Sequence, residues 1–262
     1  MPRSRLRSRI FAVALALVAS ACGSDAAVGP STPNTPNTPH ATLEQALGEL
    51  RLPVLGTAGI SISGLFPGGP QLKASCAFSA ASQSFVCPTA TASGLTIDQS
   101  FTLLTSSGAT QAAFDGTTTE SVRSNTVVAG SVAQDGATLT VDAEEELTLS
   151  GLVTGTHSIS GTGTAHLAGT LFEGSDLEIS MASSIAKVVI PANTTAAGQR
   201  WPVSGTIVVE TSASLTGFPP STTRLTLMFN GTSKVDVTVT EDGVSRTCQQ
   251  DLATSTQAPT CG

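Results

Sequence analysis

The sequence predicts an all-β fold, a curved antiparallel meander, and three observations carry that prediction. From Ile60 onward apolar and polar residues alternate with period two, in segments rich in Thr, Val, Ser and Gly. Gly, Asp-Gly and Asn-Gly signals bound those segments, so the strands should be joined by hairpins. Two candidate hairpins also pass a register test, in which a single pairing brings the apolar residues of both strands to one face.

The first runs from Val122 to Leu149 about Asp135-Gly136, the favoured two-residue loop. Pairing outward from that loop sets Val132 opposite Leu139, Gly130 opposite Val141, Val128 opposite Ala143, Ser124 opposite Leu147 and Val122 opposite Leu149. Arg123, Asn125, Asp142, Glu144 and Glu146 fall on the other face, and a slip of one residue would bury those charges. The second hairpin lies in the segment C-A-F-S-A-A-S-Q-S-F-V-C, where the register that pairs Phe78 with Phe85 also pairs Cys76 with Cys87. A Cys76–Cys87 bridge is then natural, leaving Cys248 and Cys261 to close the C-terminal tail as another hairpin; the spacing alone leaves other pairings open.

Further alternating runs lie at Val153 to Leu171, Val203 to Leu215, Leu225 to Phe229 and Val235 to Val239, each with apolar odd positions. About ten to fourteen strands follow, each with one polar and one apolar face. Such a sheet must roll on itself or fold into two layers. Long runs and short connections favour a barrel or half-barrel, with a β-sandwich as the alternative. One short helix is expected ahead of the sheet, where Thr42-Leu43-Glu44-Gln45 forms a capping box, Leu43, Ala46, Leu47 and Leu50 recur at helical spacing, and Pro53 ends the pattern.

The N-terminal region reads as an export signal. Arg3, Arg5, Arg7 and Arg9 precede an uncharged, almost wholly apolar stretch from Ile10 to Ala19, which is shorter than the ~20 residues a spanning helix needs. The stretch ends in Val18-Ala19-Ser20-Ala21-Cys22, which resembles the lipobox of bacterial lipoproteins, with Ala19 in place of the usual Leu. The resemblance implies cleavage before Cys22, acylation of its sulfur by chains such as palmitate, and a membrane anchor. Gly23 rather than Asp follows the cysteine, so an outer-membrane address is expected, facing the periplasm or the cell surface. The organisation is therefore a signal peptide (1–21), a lipid-anchored tether rich in Pro, Thr and Asn (22–41), and one disulfide-stapled β-domain (42–262).

Composition narrows the partners. Four of the twelve Lys and Arg residues lie within residues 1–21, leaving eight against nineteen acids and a mature charge near −11. That charge opposes nucleic acid as a partner. Absence of Tyr and a single Trp argue against an outer-membrane pore, which needs aromatic girdles, and against a carbohydrate-binding module, which works through aromatic platforms. An even number of cysteines beyond Cys22, in an exported chain without C-x-x-C, reads as disulfides rather than a metal site.

No catalytic set emerges, and no motif calls for a cofactor. There is no G-x-S-x-G, and Ser184-Ile185-Ala186-Lys187 matches S-x-x-K without S-D-N or K-T-G, so it reads as the beginning of a strand. Asp142, Glu144 and Glu146 read as a solvated strand face, since same-face neighbours lie about 6.6 Å apart and cannot all close on one Ca²⁺. Glu145 is the informative acid: strict alternation turns it to the apolar face, and the next strand turns His157 the same way, as a direct or diagonal neighbour. A bulge or an exposed, frayed face that relieves Glu145 is the favoured reading, and a polar spot within a ligand cavity is the other. Small residues at Gly155, Gly161, Gly163 and Ala165 would leave room for a ligand, or would mark close packing. His166 falls on the polar face, His40 lies in the tether, and Trp201 reads as a core anchor at a strand start.

Segments Val188-Val189-Ile190-Pro191 and Trp201-Pro202-Val203-Ser204-Gly205-Thr206, with the tail from Thr247-Cys248 through Asp251-Leu252 to Cys261, resemble those of uncharacterised β-rich bacterial envelope lipoproteins. The resemblance implies the class and no activity. The expectation is a non-catalytic structural or partner-binding module of the cell envelope, acting on an envelope protein. The alternatives are a carrier of a hydrophobic small molecule, similar in architecture to lipocalins, and, behind it, an envelope enzyme.

Overall fold

Alternation becomes strand along most of the chain that the computed structural model describes, residues 76–92, 94–134, 137–171, 174–191, 201–252 and 260–261. The strands are β1 (Ala77–Ser79), β2 (Ser84–Val86), β3 (Ala90–Ala92), β4 (Leu95–Thr105), β5 (Thr110–Gln111), β6 (Thr119–Gln134) and β7 (Ala137–Ser150). They continue with β8 (His157–Thr170), β9 (Asp176–Ile190), β10 (Ser204–Leu215), β11 (Phe218–Met228), β12 (Lys234–Glu241), β13 (Val244–Asp251) and β14 (Thr260–Cys261). The signal peptide, Cys22, the tether, the helix expected from Thr42 and the Asp135-Gly136 loop lie outside the described residues.

All fourteen strands belong to one antiparallel sheet, in the order β1-β2-β4-β6-β7-β8-β9-β10-β11-β12-β13-β14, with β3 and β5 also pairing with β4. From β6 onward every strand pairs with the next, as a meander should. The order is open: β1 and β14 stand at opposite ends and do not pair, so the described sheet is not a closed barrel.

Both hairpins keep the register that their side chains demand. Val122 faces Leu149 and Gln134 faces Ala137, without a break between them. Phe78 faces Phe85 in β1 and β2, and Cys76 and Cys87 form the disulfide that closes this hairpin. Phe85 meets Phe78 edge to face at 5.3 Å and stacks on Phe101 of β4 at 4.6 Å, which ties the stapled hairpin to the sheet. At the other end, Cys248 is disulfide-bonded and Cys261 stands opposite it in the β13–β14 register.

Register shifts occur between β4 and β6, between β10 and β11, and on both sides of β9, where the departure from alternation bears on the core. Ser184 to Lys187 lies well inside β9 rather than beginning a strand, and the register shifts there against both β8 and β10. The bulge centres on Lys187, at φ 44°, and its extra residue lets Ile185, Val188 and Ile190 all point into the core. Gly205 makes the bulge possible. At φ +113°, a Cβ on it would lie 2.5 Å from the Val188 Cα.

The core face is formed by even-numbered residues of β6, by odd-numbered residues of β7 and of β8, and by odd-numbered residues of most strands beyond them. At the end where β7 and β9 finish, Val122, Leu149, Ile159, Val188, Ile207, Leu227, Val235 and Cys248 belong to one buried cluster. A smaller cluster of Leu167, Leu177 and Ile179, with Leu139 and Leu215 packed against it, occupies the other end of β7 to β10. Leu152 and Leu252 come from connections and cap the larger cluster. Trp201 also packs there, partly buried, and joins the core just ahead of β10.

Candidate functional site

Between the two clusters the core face of β4 to β9 carries a polar band, buried at Gln99 and half-buried at Thr126, Glu145, Gly163 and Ser183. The register sets Gln99 of β4 opposite Thr126 of β6, Thr126 opposite Glu145 of β7, Glu145 opposite Gly163 of β8, and Gly163 opposite Ser183 of β9. Alternation is unbroken on both sides of β7, so no bulge turns Glu145 to solvent. The expectation of a bulge or a frayed face is thereby corrected: cross-strand pairing from Ser121 to Gln134 outweighs the cost of one inward carboxyl.

Glu145 is partly buried and, among the described residues, has neither a hydrogen-bond nor an ion-pair partner. Burial alone pushes its pKa from the ordinary 4.5 to about 7. Its neighbours bond among themselves. Gln99 Nε2 donates to Thr126 Oγ1 at 3.5 Å, and Ser183 Oγ donates to the Gly163 carbonyl at 3.4 Å. Leu147 and Ile185 border the band on the side of the large cluster, and Ala143, Ala165 and Met181 border it on the other.

The small residues divide into two kinds. A Cβ on Gly161 would lie 2.2 Å from the Glu146 carbonyl oxygen, so that glycine exists for close backbone packing. A Cβ on Gly163 would meet Ser183 Oγ at 2.9 Å, then the Glu144 carbonyl oxygen at 3.5 Å and Glu145 Cγ at 3.6 Å, so its nearest obstacle is a side chain of the band. Ala165 faces Met181 on the same surface, whereas Gly155 lies in the connection before β8.

His157 shares the core face but not the band. It is 1 % exposed and faces Ile190, whereas Glu145 faces Gly163, six residues and about 20 Å further along β8. The expected neighbour relation is therefore corrected. Its cause is the Gly151 to Thr156 connection, in which Gly155 N donates to the Gly151 carbonyl and Gly151 N to the Glu120 carbonyl; a tight turn at Gly151 would have brought the two together.

The opposite face is polar. Asp142, Glu144 and Glu146 are exposed, and Glu144 accepts a 3.3 Å bond from Asn125 Nδ2. Among the described residues no three His, Cys, Asp or Glu side chains gather to hold a metal ion. Register aligns Asp142, His166 and Ser180 across three strands, an order reminiscent of an acid–His–Ser relay that the sequence reading missed. His166 Nε2 turns instead to Glu178 Oε1 at 3.9 Å, and among the described residues no hydrogen bond joins the three.

A groove of about 430 Å³ crosses this face over Ser180, Ala182, Ser212 and Thr222, beside the exposed Arg224–Glu210 pair at 2.6 Å. Sequence reasoning did not find it, since the groove exists only once four strands are placed side by side. No protein-family model, curated protein or solved structure matches the chain.

Proposed function

We propose that the protein is a lipid-anchored module of the cell envelope that works by binding rather than by catalysis, with its sheet rolled about the core face as a half-barrel. The observation that carries this reading is the one-sided core: Val122, Ile207 and Val235 are each 0 % exposed, within one cluster drawn from strands β4 to β13. A single sheet buries one face to that degree by curling over it. Disulfide bonding of Cys76, Cys87 and Cys248 fits an oxidising compartment, and the lipobox-like Val18 to Cys22 supplies the anchor. An outer-membrane address, towards the periplasm or the surface, follows from Gly23, and the partner is an envelope protein.

Glu145 favours a second reading, a carrier of a hydrophobic small molecule. A core built only for stability has no use for an inward carboxyl without a partner. The anchor is tested directly: Cys22→Ser should abolish metabolic labelling with palmitate and release the chain from membranes, and persistent labelling overturns it. Native mass spectrometry of the released full chain, purified without detergent, separates the two readings. A co-purified lipid-sized mass supports the carrier, and a bare chain supports the partner-binding module.

A further inference from the structure

We infer that the band around Glu145 is a binding site for a cationic amphiphile, its positive head held against the Glu145 carboxylate and its apolar tail laid along the core face over Gly163, Ala165 and Met181. The inference rests on the carrier reading and adds the chemistry of the ligand. Its ground is charge complementarity: among the described residues, Glu145 is the one inward-facing acid of the long hairpin, and nothing neutralises it. The facing residues supply no charge, since Thr126 and Ser183 are hydroxyls, Gly163 has no side chain and Gln99 is an amide. Glu144 and Glu146 project to the polar face and are not the groups a head would meet.

The surroundings suit an amphiphile rather than a bare cation. Gln99, Thr126 and Ser183 offer polar atoms around the head only, and beyond Gly163 the face turns to Ala165 and Met181, then to Leu167 and Ile179. Gly163, directly opposite Glu145, adds no side chain to the face, and the nearest group above it is the Ser183 hydroxyl. Burial holds the carboxyl near a pKa of about 7, so a permanently charged ligand should bind better once the pH passes that value and the carboxyl ionises. No other titratable group stands opposite Glu145 on β6 or β8.

The test titrates the full exported chain carrying Cys22→Ser with decyltrimethylammonium, decanol and decanoate by calorimetry. Saturable one-to-one binding of decyltrimethylammonium is expected, tighter at about pH 8 than at about pH 6. Glu145→Gln should weaken it about tenfold or more, and Glu144→Gln, on the other face of the same strand, should leave it unchanged. Equal effects of the two substitutions, or a flat pH response, would mean that the cation meets only the acidic surface, and either overturns the inference. Decanol bound as tightly as the cation overturns the charged head while keeping the carrier reading. Binding of none of the three overturns both.

Discussion

Two regions of one face of one sheet are built on opposite principles. At the end bounded by Leu149, Ile159 and Val188, neighbouring strands contribute aliphatic side chains to a continuous cluster, and several are fully buried. A few residues along the same strands, the row from β4 to β9 runs Gln99, Thr126, Glu145, Gly163 and Ser183 without a large aliphatic group, and turns aliphatic only at Val209 of β10. The same pairing thus carries a region that closes the fold and a region that gives up burial. The difference suggests that stability and recognition are separated along the strands rather than assigned to different layers.

Substitutions at the crowded end should have the largest effects. Ile207→Ala should cost about 3–5 kcal/mol in chemical denaturation, because the cluster surrounds the side chain on every side. Leu139→Ala, at the margin of the small cluster, should cost only about 1–2 kcal/mol. Equal losses would break the contrast and show that the sheet is packed evenly from end to end. Breaking the staple comes next. Paired Cys76→Ser and Cys87→Ser substitutions should lower stability by about 3 kcal/mol, because the bridge closes a short loop in the unfolded chain. A loss well below that, measured by the same unfolding curves, would mean that the stack of Phe85 on Phe101 holds the hairpin without it.

Much of this architecture was legible because β-structure writes its register into side-chain parity. The Val122 to Leu149 hairpin and the pairing of Phe78 with Phe85 followed from loop length and the grouping of apolar residues, both local properties. The Glu145–His157 relation was not legible, since it depends on the length and internal bonds of the Gly151 to Thr156 connection, which no periodicity reports. The bulge at Lys187 escaped for a similar reason: Ser184 to Lys187 looks like a strand start until its partners on β8 and β10 are known. Glu145 itself was found by alternation. Its inward placement is not fixed by alternation alone, because a single strand cannot reveal how strongly two neighbours enforce its register.

The pH-dependent effect expected at Glu145 is the sharpest test of the band. A carboxyl with a pKa near 7 in the folded chain and near 4.5 when unfolded costs nothing below about pH 4.5, where both states are protonated. As pH rises from there, the folded state keeps a proton that the unfolded state has lost, so stability falls until the pH passes about 7, and the penalty is then complete. Its full size is about 3 kcal/mol, reduced by partial access of the carboxyl to water. Glu145→Gln, which keeps the shape and cannot ionise, should therefore stabilise the fold by about 2 kcal/mol at pH 8 and have almost no effect at pH 4. Urea unfolding of the two chains across that range measures the difference. A constant offset at all pH values would place the effect in packing, and no offset at all would show that water reaches Glu145 as freely as it reaches Glu144, leaving the middle of the core face without its distinguishing feature.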